Sequence, residues 1–217
     1  MNIAIVGATG NVGRRLIEVL EKKKFPIDEL FLIASSKSVG KKINFKEKEH
    51  SIHDLENFDF SSVKIAFFSA GSSIAEKWAP IAAKKTIVID NSKFFRMDPD
   101  VPLIVPEVNS KDLKNYKKKN IIANANCSVI PLVVALKPLH DLYEIKRIVA
   151  STYQSVSGAG KEPMDELLSQ TKDFFEGKKL NSKFFTKQIA FNAIPHIDSF
   201  LEDGYTKEEQ KMHDEVK

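Results

Sequence analysis

The sequence predicts an α/β fold, a Rossmann-type doubly wound parallel sheet followed by the start of an α+β domain. Three observations lead there. Short β-branched runs alternate with helical periodicities through the first half of the chain. A glycine-rich turn joins the first run to the first helical pattern. After residue 127 the alternation gives way to longer helical stretches, so we read residues 1–127 as one domain and 128–217 as the beginning of a second.

Strands are expected at 3–6, 30–34, 63–68, 86–89 and 121–123, where Val, Ile, Leu and Phe cluster. Between the first two, Val12, Leu16, Val19 and Leu20 fall on one face of a helix, and residues 72–84 repeat that pattern after the third strand. Parallel strands need such crossovers, and a doubly wound sheet binds its ligand at the carboxyl ends of the strands. From 128 a Val- and Leu-rich helix begins, with Pro131 in its first turn and a cap near Ser128. A strand is expected at 147–155, a helix at 161–175 and a strand at 189–194. Thr206 opens the last helix, with Glu209 three residues later completing a capping box. No stop signal follows, and the second domain reads as incomplete.

Composition narrows the function. The chain carries 33 basic and 29 acidic side chains among 217 residues. The basic runs Lys22 to Lys24 and Lys117 to Lys119 read as solvated helix ends without interleaved aromatics, which argues against a nucleic-acid partner. One cysteine, Cys127, excludes an internal disulfide and fits a reducing compartment. Gly7 and Gly10 interrupt the only N-terminal apolar stretch, and no run approaches the roughly 20 residues of a membrane helix. The expectation is a soluble cytoplasmic protein with no membrane partner and no metal site.

The turn of Gly7, Thr9, Gly10, Asn11 and Val12 follows a buried strand and opens an amphipathic helix. There glycines let the backbone approach a pyrophosphate and the helix N-terminus offers N–H groups. The plainer reading is a tight strand-to-helix turn. After the second strand, where NAD sites place an acid for the ribose hydroxyl, the chain has Ser35, Ser36, Lys37 and Ser38, which favours the 2′-phosphate of NADP. A ligand-free polar loop is the alternative. Cys127 follows a strand and precedes a helix, a position that stabilises a thiolate and makes it a nucleophile, although a single cysteine is more often an inert buried residue.

Asn126-Cys127-Ser128, together with Gln154 in the stretch 151–160, resembles the active-site signature of the aspartate-semialdehyde dehydrogenases. Residues 95–100, 105–109 and 69–73 and the phosphate loop are similar to that family as well, and the resemblance runs almost from Met1 to Lys217. It implies an NADP-dependent enzyme that interconverts aspartyl phosphate and aspartate semialdehyde in aspartate-family amino-acid biosynthesis, leading to lysine, threonine and methionine. Cys127 would be the nucleophile that forms a thioester, Gln154 would orient the acyl group, and Asn126 would help to hold the oxyanion. Arg96 would hold phosphate. Glu208 and Lys211 would line the substrate side, although their spacing alone describes a helix surface pair. Further cofactor contacts implied are Ser69, Ala70, Gly71, Ser72 and Asn91, with Ser157, Gly158 and Gly160 near the nicotinamide. Small-molecule substrates, phosphate among them, and a homodimer or homotetramer of the full-length enzyme also follow from the resemblance.

The chain departs from that family at Ala125, commonly Pro, and Val129, commonly Thr. The family's carboxylate-binding Arg and acid/base His have no match here. His50, His53, His140, His196 and His213 stand outside the catalytic context, so the 217-residue chain is expected to bind NADPH without turnover. A related acyl-phosphate reductase, such as N-acetyl-glutamyl-phosphate reductase or a glyceraldehyde-phosphate dehydrogenase, is the rival reading. Gln154 argues against both, because they place His in the adjacent role.

Overall fold

The computed structural model describes residues 1–217, which divide into two compact units, Met1–Glu144 with Glu215–Lys217, and Ile145–Asp214. The first unit is built on one eight-stranded sheet. Its strands are β1 (Ile3–Val6), β2 (Leu30–Ala34), β3 (Lys42–Phe45), β4 (Lys48–Asp54), β5 (Ile65–Phe68), β6 (Ile87–Asp90), β7 (Leu103–Ile104) and β8 (Ile121–Asn124), in the order β3-β4-β2-β1-β5-β6-β8-β7. Every neighbouring pair is parallel except β3 and β4. The chain runs outward from β1 to β2 on one side and from β5 to β6 and β8 on the other. The topological switch point, the place where a doubly wound sheet binds its ligand, therefore lies at the carboxyl ends of β1 and β5.

Alternation along β1 explains why both of its faces are apolar. Ile3 and Ile5 join a core with Leu32, Ile17 and Leu20, whereas Ala4 and Val6 join a second core with Phe68, Val88 and the alanines 75, 79, 82 and 83. The helix α1 (Asn11–Lys22) covers the first face and α2 (Ser72–Ala83) the second. The buried stripe of α1 is Gly13, Ile17 and Leu20. Val12 and Val19, expected to face the core, are 55% and 39% exposed, while Leu16 is partly buried against the first core. The reason is geometric: the first turn presses its glycine against the β1 turn, which rotates the flanking valines outward.

Strands β5, β6 and β8 lie within two residues of the expected segments. The β3–β4 hairpin was not anticipated. Its two-residue turn is Lys46 and Glu47, both left-handed with φ of 49° and 63°, and it carries none of the Gly or Asn that normally announces such a turn. The short α3 (Pro106–Asn109) precedes a 3₁₀ segment, Ser110–Lys118, and α4 (Val129–Tyr143) follows β8.

The second unit contains a 3₁₀ turn, Val156–Ala159, then α5 (Lys161–Phe175), and α6 (Lys207–Glu215), whose last residue counts with the first unit. The strand expected at 147–155 does not form, because no segment of the unit supplies a ladder for its backbone. Val149 and Tyr153 are 81% and 94% exposed. Nor does the strand at 189–194. The amides of Ile189 and Ala190 donate to Gln170 Oε1 instead, and Phe191 turns the chain with a φ of 57°. Buried Glu166 similarly accepts the amides of Lys183 and Phe184. Side chains of α5 thus take the hydrogen bonds that a neighbouring strand would have taken. The capping box is present: Thr206 N donates to Glu209 Oε2 at 2.7 Å, and Glu209 N donates to Thr206 Oγ1 at 3.2 Å. No helix is long and apolar enough to cross a membrane.

Candidate active site

Two helix N-termini stand at the carboxyl ends of the adjacent strands β1 and β5. After β1, Gly7 turns with φ of +88°, and the amides of Gly7 and Ala8 both donate to Ile33 O of β2, at 2.9 and 3.2 Å. Gly10 N closes the loop onto Gly7 O at 3.0 Å. After β5, Ser69 donates both its amide and its hydroxyl to Val6 O, at 2.9 and 3.1 Å, and Gly71 turns with φ of +89° into α2. Gly10 and Gly71 cap their helices without a side-chain hydrogen bond. The first N–H groups of a helix find no acceptor within it, and neither cap fills their place with an oxygen. The loop fits a pyrophosphate: glycine backbone, two positive helix ends, and no cap side chain in the way.

The remaining expected cofactor residues of this unit border the same edge. Ser35 leads a 3₁₀ turn, Ser36–Ser38, at the end of β2, with Lys37 exposed. Asn91 follows β6, and its Oδ1 accepts Asn124 Nδ2 from the end of β8 at 2.7 Å.

Beyond β8 comes the cysteine. Asn126 is 5% exposed, and its Oδ1 accepts the amide of Ser128 at 2.8 Å while its carbonyl accepts those of Val129 and Ile130. Asn126 is therefore the residue that caps this helical turn. Ser128, expected to do so, already has helical angles and no capping bond. The correction places exposed Cys127 inside the first turn, at the positive end of α4.

Arg96 is buried beside this turn. Its Nε donates to Asn124 O at 2.9 Å, Nη2 to Asn91 O at 3.0 Å, and Nη1 to Glu215 Oε1 at 2.9 Å. Asp90, at the end of β6, accepts the amide and hydroxyl of Ser92. Burial pushes its carboxyl above the ordinary carboxylate range, against the Ser92 bonds and the nearby Arg96 charge.

In the second unit the structure brings Gln154, Glu208 and Lys211 together. Gln154 Nε2 donates to Glu208 Oε1 at 3.2 Å, and Lys211 Nζ donates to Glu208 Oε2 at 2.8 Å and to Asp198 Oδ2 at 3.0 Å. The helical pair is thus more than a solvated surface contact: the side chains of Glu208 and Lys211 are only 12% and 21% exposed. Burial alone would lower the Lys211 ammonium, but its bonds to Glu208 and Asp198 outweigh that and hold it above its usual value. Ser157 and Gly158 lie in the 3₁₀ turn, and Gly160, with φ of +109°, caps α5 without a side-chain bond. Sequence reasoning missed Asp90, Asn124, Asp198 and Glu215. Asp90 and Asn124 carry one local signal, a polar residue ending an apolar strand.

A parallel sheet crossing over at β1 and β5, with glycine-capped helices at that point, defines a Rossmann-type α/β protein. Residues 2–116 match the family model described as semialdehyde dehydrogenase, NAD binding domain, and residues 136–217 match the semialdehyde dehydrogenase dimerisation domain. An aspartate-semialdehyde dehydrogenase of Aquifex aeolicus is 57% identical over 97% of this chain and 63% of its own length. The crystal structure of aspartate semialdehyde dehydrogenase II from Vibrio cholerae, complexed with ASA, superposes with a TM-score of 0.95 at 52% identity, covering 97% of this chain and 63% of that one. A more distant neighbour, the Candida albicans enzyme with NADP, is 28% identical with a TM-score of 0.51 over 66% of this chain and 48% of that one. The chain belongs to the aspartate-semialdehyde dehydrogenase family, and it spans about 63% of the length of the first curated relatives it matches.

Proposed function

We propose that the protein to which this chain belongs is an NADP-dependent, phosphorylating aspartate-semialdehyde dehydrogenase working through a Cys127 thioester. The observation that carries this reading is the run of groups along one edge of one sheet: the Ser35 to Ser38 turn, the two glycine-capped helix ends, Asn91, and then the Asn126-capped turn bearing Cys127. The glycine loop and Ser69 to Ser72 hold the pyrophosphate, and Lys37 with its flanking serines meets the 2′-phosphate. Cys127 thiolate attacks the acyl carbon of aspartyl phosphate, the C–S bond forms, and the acyl–oxygen bond breaks to release phosphate. A nicotinamide cofactor held by these residues would supply the hydride needed to reduce the thioester carbonyl. The side chain of Asn126 and the backbone amide of Cys127 stabilise the oxyanion, and collapse returns the thiolate and frees the semialdehyde. By the family resemblance Arg96 would hold phosphate, Gln154 would orient the acyl group, Glu208 and Lys211 would line the substrate side, and Ser157, Gly158 and Gly160 would leave space for a flat ring.

Val149, Tyr153, Phe175 and Phe191, all more than half exposed in the second unit, support an apolar surface covered in a homodimer. The reading is tested by assaying the protein at its natural length with aspartate semialdehyde, phosphate and NADP, beside Cys127→Ala. Loss of NADPH formation in the variant with NADP binding retained is expected. Turnover that survives the substitution would sink the thioester mechanism.

A further inference from the structure

Glu215 lies far from Asn126 in sequence, and no local pattern marks it. Yet its carboxylate is 3% exposed and both of its oxygens are engaged: Oε1 with Arg96 Nη1 at 2.9 Å, and Oε2 with the amide of Asn126 at 2.6 Å. One carboxylate thus ties the buried guanidinium to the peptide that begins the Cys127 turn. A buried cation and anion must be compensated together, and a short bond from an amide to a carboxylate is among the stronger hydrogen bonds a backbone makes. Asn124 O and Asn91 O fix the other edges of the same guanidinium, so Glu215 is the one charged group among the three that set the direction in which Arg96 points. It also offsets that cation's charge at the residue that begins the Cys127 turn. The other acid near Arg96 is Asp90, which burial biases toward its neutral form.

We propose that Glu215 is a positioning residue for the reaction: it aims Arg96, anchors the turn that presents Cys127, and balances the charge there. The proposal rests on Cys127 being the nucleophile.

Because Cys127 is the only thiol, iodoacetamide labelling of the 217-residue chain reports on it directly. Labelling rates are measured across pH for the wild type, Glu215→Gln and the double variant Glu215→Gln/Arg96→Gln, with circular dichroism checking the fold. Gln keeps an oxygen for the Asn126 amide but leaves Arg96 uncompensated. One anion fewer favours the thiolate, so labelling at fixed neutral pH should speed up about threefold. The double variant should return the profile toward the wild type. A merely structural brace would lower thermal stability and leave the profile unmoved, and that result overturns the proposal. Should Glu215→Gln not fold, Glu215→Asp takes its place. Its carboxylate is drawn back by one methylene from both partners, so labelling at fixed pH should differ from the wild type by at least threefold, and an unchanged rate overturns the proposal. A wild-type thiol no faster than a free one would remove the nucleophile reading itself, which separates that failure from a failure of Glu215 alone.

Discussion

An added Cβ at Gly13 would stand 2.3 Å from the carbonyl oxygen of Gly7 and 2.8 Å from the Cα of Ala8, both backbone atoms that no rotamer change can clear. Relief would require α1 to leave the β1 turn, and the phosphate loop with it. Gly13→Ala should therefore cost about 3 kcal/mol, the upper end for overpacking, and lower the melting temperature by roughly 6–12 °C in a chain of this size. NADPH affinity should fall with it. At Gly10 the nearest contact is 3.3 Å, which a small shift relieves, so Gly10→Ala should be milder in a thermal melt. Equal losses for the two variants would count against this account. At this scale the glycine turn before α1 and the place of Cys127 at the start of a helix were legible in the sequence, because each is set locally. Glu215 was not, since its contacts with Arg96 and Asn126 exist only in the folded chain. The choice between Asn126 and Ser128 as cap was hidden for another reason: both are good capping residues, and only the backbone angles separate them.

Among the elements, helices were read more faithfully than strands. A helix satisfies its own backbone, so α5 and the start of α6 follow from periodicity and a capping box. A strand depends on a partner. The segments at 147–155 and 189–194 have strand-like composition but no ladder, whereas Lys42–Phe45 and Lys48–Asp54 are strands with an unannounced turn. The cap of α6 yields a test. The Thr206 backbone amide, then its hydroxyl, hold the Glu209 carboxyl below its ordinary value of 4.5. A depressed carboxylate contributes stability that is present above its unfolded value and lost as pH falls through the folded one. Thr206→Ala removes the cap and should cost about 1 kcal/mol at neutral pH. Amide exchange in α6 should therefore separate wild type from variant at neutral pH, and the difference should shrink as the medium is taken toward about pH 3. A gap that does not change with pH would remove Glu209 from the explanation.

For the whole molecule, the order β2-β1-β5-β6-β8 matters most, because it sets the expected cofactor groups of the first unit and the cysteine along a single edge. The sequence foretold the parallel sheet and its crossovers, but the order of strands was legible only through the rule that a doubly wound sheet reverses direction at its binding crevice. A ligand lying across several strand ends binds the folded sheet and has nothing comparable to bind in the unfolded chain. Binding should therefore appear as thermal stabilisation. The Ser35 to Ser38 turn carries no acid and one exposed lysine, and a hydrogen bond to a charged group is worth roughly 1.5–3 kcal/mol. NADPH should then bind about 10- to 100-fold more tightly than NADH. At equal, saturating concentrations that ratio becomes about 1.4–2.7 kcal/mol of extra stabilisation, or roughly 3–10 °C of melting temperature. Lys37→Glu should erase the gap by repelling the 2′-phosphate while leaving the NADH shift nearly intact, since the helix ends proposed to hold the pyrophosphate are untouched. Equal shifts for the two cofactors in the wild type would mean that the turn after β2 does not read the 2′-phosphate. A preference that survives Lys37→Glu would move its source to the serines or to another strand end.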